Sequence, residues 1–343
     1  MVEEVNYYVR GHTASGFVNF ISSNLVGVKN VILLQHASNQ VISDVLSTMK
    51  NEWDKVDHCE VLCSPYRASH IEGLIVRNRS VAILAADIIG KPKHHYKIID
   101  LHQWLPIDVN TKTVAEGLKL QEQAYECFAK GLHIHDDLEQ VYIDEMDFKL
   151  ADQIAIDLLH QILGNVPKQK RNAHVYERLF GTNTIDGVVN EIEHLIIPIE
   201  NRVFVKGRAG TGKSVLLRRV VEASITYGYD VELYRCSFDP ESIDMVLIRD
   251  LNYCLFDSTP PHEFFPSREM DQVIDLYEET VTPGTDEKYE ELIAQLTKRY
   301  KTEMRNGLAC LQQLKQFTPK TDQSKEVYST SMKEISNHIK NKL

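Results

Sequence analysis

The chain has 343 residues, 43% apolar and 25% charged, a globular balance that excludes wholesale disorder, collagen and coiled coil. Its formal net charge of −11, from 38 Lys+Arg against 49 Asp+Glu, argues against nucleic acid as a partner. No apolar run approaches the ~20 residues of a membrane helix, and Met1-Val2-Glu3-Glu4 does not begin a signal peptide, so a cytoplasmic protein with no membrane partner is expected.

In chain order, the sequence is written twice. Residues 7–49 align with 178–220 at an ungapped offset of 171, with 8 identities in 43 positions. Thr13-Ala14-Ser15-Gly16-Phe17-Val18-Asn19 faces Thr184-Ile185-Asp186-Gly187-Val188-Val189-Asn190. Further on the offset drifts, with Glu60–Ser64 matching Leu233–Ser237 and Ile99–Leu101 matching Ile274–Leu276. Such a repeat predicts two tandem units, 1–168 and 169–343, divided at the polar linker Pro167–Arg171.

Each unit is expected to open with a helical lead-in. A short β-branched run follows, Val31–Leu34 or Val203–Val205, and reads as a buried strand. A helix comes next, from about Ser214 to Tyr227 in the second unit, with Gly228 as its stop signal. Val231–Arg235 and Leu251–Phe256 read as further strands, and roughly 110–164 and 285–342 read as helical extensions. The alternation predicts an α/β fold of mainly parallel sheets with flanking helices. The six cysteines, Cys59, Cys63, Cys127, Cys236, Cys254 and Cys310, are expected to be reduced thiols. The second ligand pair that a zinc site around His58, Cys59 and Cys63 would need is absent.

Gly207-Arg208-Ala209-Gly210-Thr211-Gly212-Lys213-Ser214 fits the phosphate-loop pattern G-x-x-x-x-G-K-[ST]. Its glycines let the backbone close around phosphate oxygens, and the following helix adds free amides and a favourable dipole. Lys213 would reach the β- and γ-phosphates, and Ser214 would offer its hydroxyl to Mg²⁺. Asp257, ending an apolar strand, is the expected second Mg²⁺ ligand. Residue 258 is Ser, so no glutamate base follows it. Val141-Tyr142-Ile143-Asp144-Glu145 imitates such a strand, but its 3–4 spacing reads as helix.

Asp239-Pro240-Glu241 carries helix-start signals, so Asp239 is expected to cap a helix. His262 is a candidate for sensing the γ-phosphate or positioning water. Arg208, Arg218, Arg219, Arg268 and Arg305 are candidates for neutralising transition-state charge. His94, His95, His133 and His135 read as ordinary histidines. In the first unit His36, Asn39, Val41 and Ile42 stand where the second has Gly207, Gly210, Gly212 and Lys213, and only Ser43 keeps its type. That unit is expected to bind no nucleotide.

Thr182-x-Thr184-x-x-Gly187, the loop itself, Cys236-Ser237-x-Asp239-x-x-Ser242-Ile243-Asp244 and Phe256-Asp257-x-Thr259-x-Pro261-His262 resemble an uncharacterised family of two-copy P-loop ATP-binding proteins of Bacillus-type bacteria. The resemblance covers nearly the whole chain. It implies ATP binding in a bacterial cytoplasm, and the family pattern often has an intact loop in the first copy too. The loop alone is also similar to the first motif of superfamily-1 helicases, which the acidic charge and the missing Asp-Glu pair argue against. The expected function is thus an ATP–Mg²⁺-binding P-loop NTPase of two P-loop-like units, a hydrolase driving a conformational or regulatory change. GTP is the alternative nucleotide. The alternative functions are a small-molecule kinase with helices 285–317 as a lid, and an ATP-gated interaction module with little turnover.

Overall fold

The computed structural model describes residues 4–53, 58–107, 111–260, 263–317 and 323–343. The first half of the chain forms strands β1 (Val5–Tyr7), β2 (Arg10–Thr13) and β3 (Gly16–Asn19), helix α1 (Ile21–Asn24), β4 (Asn30–Gln35), α2 (Asn39–Trp53), β5 (Glu60–Cys63), β6 (Ile71–Val76), β7 (Val81–Ala85), β8 (Lys97–Asp100), α3 (Thr111–Ile143) and α4 (Phe148–Leu163). The second half repeats the series as β9 (Val175–Leu179), β10 (Gly181–Thr184), β11 (Gly187–Asn190), α5 (Ile192–Ile196), β12 (Asn201–Lys206), α6 (Lys213–Thr226), β13 (Val231–Arg235), β14 (Ile243–Ile248), β15 (Tyr253–Asp257), β16 (Gln272–Asp275), short α7 (Leu276–Thr280) and α8 (Thr285–Lys288), α9 (Glu290–Gln313) and α10 (Lys325–Lys340).

Each half builds one six-stranded sheet, ordered β1-β5-β6-β7-β4-β8 and β16-β12-β15-β14-β13-β9. The α/β, two-unit expectation holds, and the sheets are mixed. In each, three strand pairs are parallel and two are antiparallel, the latter joining β5–β6–β7 and β13–β14–β15. The expected helical lead-ins are not there. Those segments are a strand, a hairpin (β2–β3 or β10–β11) and a short helix. Each hairpin turns at a glycine of positive φ, Gly16 (93°) and Gly187 (116°), a turn signal that outweighs weak helical periodicity.

One buried cluster takes side chains from both sheets, including Val31, Leu33 and Leu62 from the first and Phe204, Tyr234 and Met245 from the second. The sheets also touch end to end, where Tyr8 N donates to Leu179 O (2.9 Å) and Leu179 N to Tyr8 O (2.8 Å). Arg178, 3% exposed, spans this seam. Its guanidinium lies 3.7 Å from the centroid of Tyr7 and pairs with Glu60 (3.2 Å) and Glu232 (2.9 Å), one from each sheet.

The outer faces are covered by exchange. Helix α4 belongs to the first half of the chain but packs Ala155, Leu158 and Ile162 against Val203, Leu216 and Val220 of the second sheet and α6. Helix α10 returns the exchange, setting Ile335 and Ile339 against Ile32, Val41 and Met49. Hairpin tips cross over too, with Ala14 N bonded to Phe238 O (2.9 Å) and Ile185 N to Tyr66 O (3.2 Å). Helices α3 and α9 pair antiparallel, Phe128 meeting Leu311 at one end and Leu138 meeting Leu296 at the other. No helix among the described residues is long and apolar enough to cross a membrane.

Candidate functional site

Strand β12 delivers the chain to the glycine loop, and α6 takes it away. Gly207, Gly210 and Gly212 have φ of 153°, 75° and 81°, in the region that disfavours a Cβ. A Cβ on Gly207 would stand 2.3 Å from Thr211 Oγ1, and one on Gly210 would stand 2.3 Å from the main-chain oxygen of Glu139. No side chain caps α6, whereas Asp147 caps α4 and Asp275 caps α7. The first amides of α6 are therefore left without a side-chain acceptor, the condition for taking an anion.

Arg208 O accepts from Thr211 Oγ1 (2.9 Å) and Lys213 Nζ (2.6 Å), which closes the loop on itself. Lys213 Nζ also stands 3.6 Å from Asp257 Oδ2, so the structure brings together this expected pair. Asp257 Oδ1 accepts from Thr259 Oγ1 (2.6 Å), and Ser214 Oγ accepts from Ile243 N (2.9 Å) at the start of β14. The next residue, Asp244, is buried beside Asp257 because β14 and β15 run antiparallel there. Burial, followed by the Asp257 charge, pushes the Asp244 carboxyl up to about 7. Ser214, Asp257 and Asp244 carry hydroxyl and carboxylate oxygens, donors of the hard kind that Mg²⁺ takes in preference to softer ligands.

Sequence reasoning did not find what covers the loop. Helix α3 of the first half lies over Gly210, whose Cα faces the main-chain oxygen of Glu139. Burial and Asp136 push the Glu139 carboxyl up, and Lys213 pulls the other way. His135, one turn earlier, packs edge-on against Phe238 and Tyr300, and burial lowers its pKa. Ligand atoms of His135, Asp136 and Glu139 lie within 4.8 Å of one another, close enough to share a cation. The strand-like Val141–Glu145 segment is the end of this helix and its following turn, as its spacing implied.

Beside the loop a cavity of about 550 Å³ is lined by Leu138 and Tyr142 of α3, Arg208, Ala209, Asp286, and the α9 face from Glu290 to Lys298. Arg208 is held there by Asp286 (2.9 Å) and by the Tyr277 ring (4.5 Å to its centroid). The other candidate arginines are engaged elsewhere. Arg218 bonds Glu241 O, Arg219 pairs with Asp152, Arg268 bonds Ile197 O and Ile199 O, and Arg305 bonds its own helix. A somewhat larger cavity, about 600 Å³, lies on the first unit among Glu52, Trp53 and Lys340, where there is no loop.

Asp239 caps no helix. It accepts from Glu241 N (3.1 Å) and Ser242 Oγ (2.7 Å) in a turn that leads directly into β14. The helix-start reading of Asp239-Pro240-Glu241 is overturned, because the Asp239 side chain closes a turn and strand pairing claims the residues that follow. His262 and Pro261 lie outside the described residues. His94, His95 and His133 are exposed.

The first unit fills its own loop. Ala37 N donates to His102 Nε2 (3.2 Å) and Ser38 N to His36 Nδ1 (3.0 Å), with the two rings stacked at 4.4 Å. His36 Nε2 is bonded to Leu105 O (2.7 Å) and His102 Nδ1 to Asp100 (2.7 Å). Burial lowers the His36 pKa and favours the neutral ring that such acceptance requires. Val41 and Ile42, aligned with Gly212 and Lys213, are buried in the outer core. Ser43 Oγ accepts from Ile71 N (3.0 Å), the counterpart of the Ser214 bond. Comparisons with protein-family models, with curated proteins and with solved structures found no match to this chain.

Proposed function

We propose that the second unit binds ATP–Mg²⁺ and hydrolyses it, the cycle driving a conformational change against the nucleotide-free first unit. The observation that carries this reading is the loop. Three positive-φ glycines run into an uncapped helix, and Lys213 sits 3.6 Å from Asp257. Loop amides and Lys213 would hold the phosphates, and Ser214 and Asp257 would hold the metal, with Asp244 behind them. Bound Mg²⁺ would supply charge neutralisation at the β- and γ-oxygens.

A second reading, phosphoryl transfer to a small molecule, draws support from the cavity of about 550 Å³. It opens beside Arg208, the residue whose carbonyl holds the Lys213 ammonium. Titration calorimetry with ATP–Mg²⁺ tests the shared core. Lys213→Ala should remove a charge-assisted contact of roughly 1.5–3 kcal/mol, weakening binding about 10- to 150-fold in a folded protein. Unchanged affinity would remove the loop from the functional account. Phosphate release without an acceptor then favours hydrolysis, and ADP formation only with one favours transfer.

A further inference from the structure

The first unit's degenerate loop is closed by two imidazole rings, and their partners fix where each ring carries its proton. His36 Nε2 lies 2.7 Å from the carbonyl oxygen of Leu105, which can only accept, so the proton sits on Nε2 and Nδ1 is bare. That bare nitrogen accepts from the Ser38 amide (3.0 Å). His102 Nδ1 lies 2.7 Å from the Asp100 carboxylate, so the bare nitrogen there is Nε2, which accepts from the Ala37 amide (3.2 Å). Both rings are therefore neutral, each in a different tautomer. They stack with centroids 4.4 Å apart, a spacing that penalises charge on both. Together they tie the loop after β4 to the turn at 101–105 after β8. That turn seats α10, the helix supplied by the second half. Leu101 and Leu105 share a buried cluster with Ile335 and Ile339, and Ser331 Oγ donates to Trp104 O (3.4 Å).

We propose that His36 and His102 form a pH-sensitive latch: the neutral rings tie the loop to the turn beneath α10, and their protonation releases both. A protonated ring nitrogen is a donor, so it would face, donor against donor, the amide it now accepts from. Other titratable groups on the packed elements include Asp100 at the end of β8, Asp44 of α2, which accepts from Tyr328 of α10 (2.5 Å), and His338 of α10, whose ring lies 5.3 Å from that of Trp104. Of these only Asp100 bonds a ring of the pair. Burial lowers the His36 pKa, and the His102 ring adds to this against the Leu105 bond. The folded chain thus takes up this proton at lower pH than the unfolded one. The latch is complete above the ordinary imidazole value of about 6.5 and is lost as pH falls through the lowered folded value. The second unit has no such device, since Gly207 and Tyr277 stand at the matching positions. The inference goes beyond the nucleotide reading and does not depend on it. It gives the unit without a phosphate loop a sensing role, in which acidity alters its grip on a helix of the other half.

The test is amide exchange in the full chain at pH 8 and pH 5, with rates corrected for the intrinsic effect of pH. Protection over residues 36–46 and over α10 should fall roughly tenfold or more at pH 5, as two hydrogen bonds are lost. Helix α4, which covers the other sheet without a histidine pair, should keep its protection. His36→Asn and His102→Gln together put an amide oxygen where each bare ring nitrogen stands, an acceptor that does not titrate in this range. The double variant should stay protected at pH 5. Glu72 and Asp244, both raised to about 7, titrate in the two chains alike, so the difference between the chains isolates the rings. Should the double variant fail to fold, ring nitrogen shifts of the wild type decide. They should show neutral rings at pH 8, with the proton on Nε2 in His36 and on Nδ1 in His102. Protection indifferent to pH, a loss at pH 5 that persists in the double variant, or the opposite tautomers would each overturn the latch.

Discussion

Two loop glycines with nearly the same backbone conformation should respond differently to the same substitution. Gly210 (φ 75°) and Gly212 (φ 81°) would both impose the left-handed cost on alanine, about 1–2 kcal/mol. At Gly212 the nearest atom to a new Cβ is Met146 Cε at 3.5 Å, an ordinary contact with a flexible side chain. At Gly210 the new methyl would meet Glu139 O at 2.3 Å and Glu139 C and Cα at 2.9 Å. Those are main-chain atoms of a helix locked against α9, so relief requires moving α3. That adds an overpacking cost of about 1–3 kcal/mol. Gly212→Ala should therefore lose about 1–2 kcal/mol in equilibrium urea unfolding, and Gly210→Ala about 2–5 kcal/mol. Gly210→Ala should also raise amide exchange over residues 135–143, while Gly212→Ala should leave it unchanged. Equal losses, or protection of α3 untouched in Gly210→Ala, would refute the packing of α3 on the loop.

Asp257→Asn should weaken Mg²⁺-dependent ATP binding and leave Mg²⁺-free binding nearly intact, as calorimetry with and without the metal would reveal. The binding isotherm should show one nucleotide per chain, because the amides of Ala37 and Ser38 are already spent on imidazoles. A second site surviving Lys213→Ala would contradict that. Burial alone would raise the Glu232 carboxyl, yet Arg178 and Arg249 overcome it and hold the group near 2. A depressed acid contributes stability that is complete above its unfolded value, about 4.3, and is lost as pH falls towards 2. The wild-type chain should lose roughly 2–3 kcal/mol between pH 5 and 2 through this group, seen as the difference in slope from Glu232→Gln under urea unfolding. Parallel slopes would dismiss the buried ion pairs as the cause.

The loop, its helix and the strand that ends at Asp257 were legible because their signals are local. A glycine at Gly207 or Gly212 is needed for a conformation that its own neighbours dictate, and the strand before it is a contiguous apolar run. The repeat was legible for a related reason, since Ser43 and Ser214 retain the same bond to the start of the second strand that follows, β6 or β14. What escaped depends on long-range packing. Glu139 is one more charged residue on a 33-residue helix, and nothing within ten positions of it says that Gly210 lies opposite. His135 was dismissed because a histidine on a helix face carries no signal until Phe238 and Tyr300 close on it. Asp244 stood in the sequence only as a member of a longer motif, and its burial follows from antiparallel pairing that strand-and-helix alternation did not foretell. The hairpins were misread as helix because four-residue strands offer too few positions to establish a period of two.

Exchange of α4 and α10, and of the two hairpin tips, has a historical corollary. A solitary ancestral copy would have presented an uncovered outer sheet face and a detached helix made to cover one, needs that a second identical chain meets at once. In the present molecule each half supplies the helix that covers the other's outer sheet face, inside one polypeptide. Joining is what permits inequality. While both copies came from one gene, a histidine at position 36 would have spoiled both loops, whereas in the fused chain one loop can decay and the other remain. The segment Pro167–Arg171 is where the two halves join. Separately made fragments ending and beginning there should recover the whole by finding each other, and neither should hold together alone.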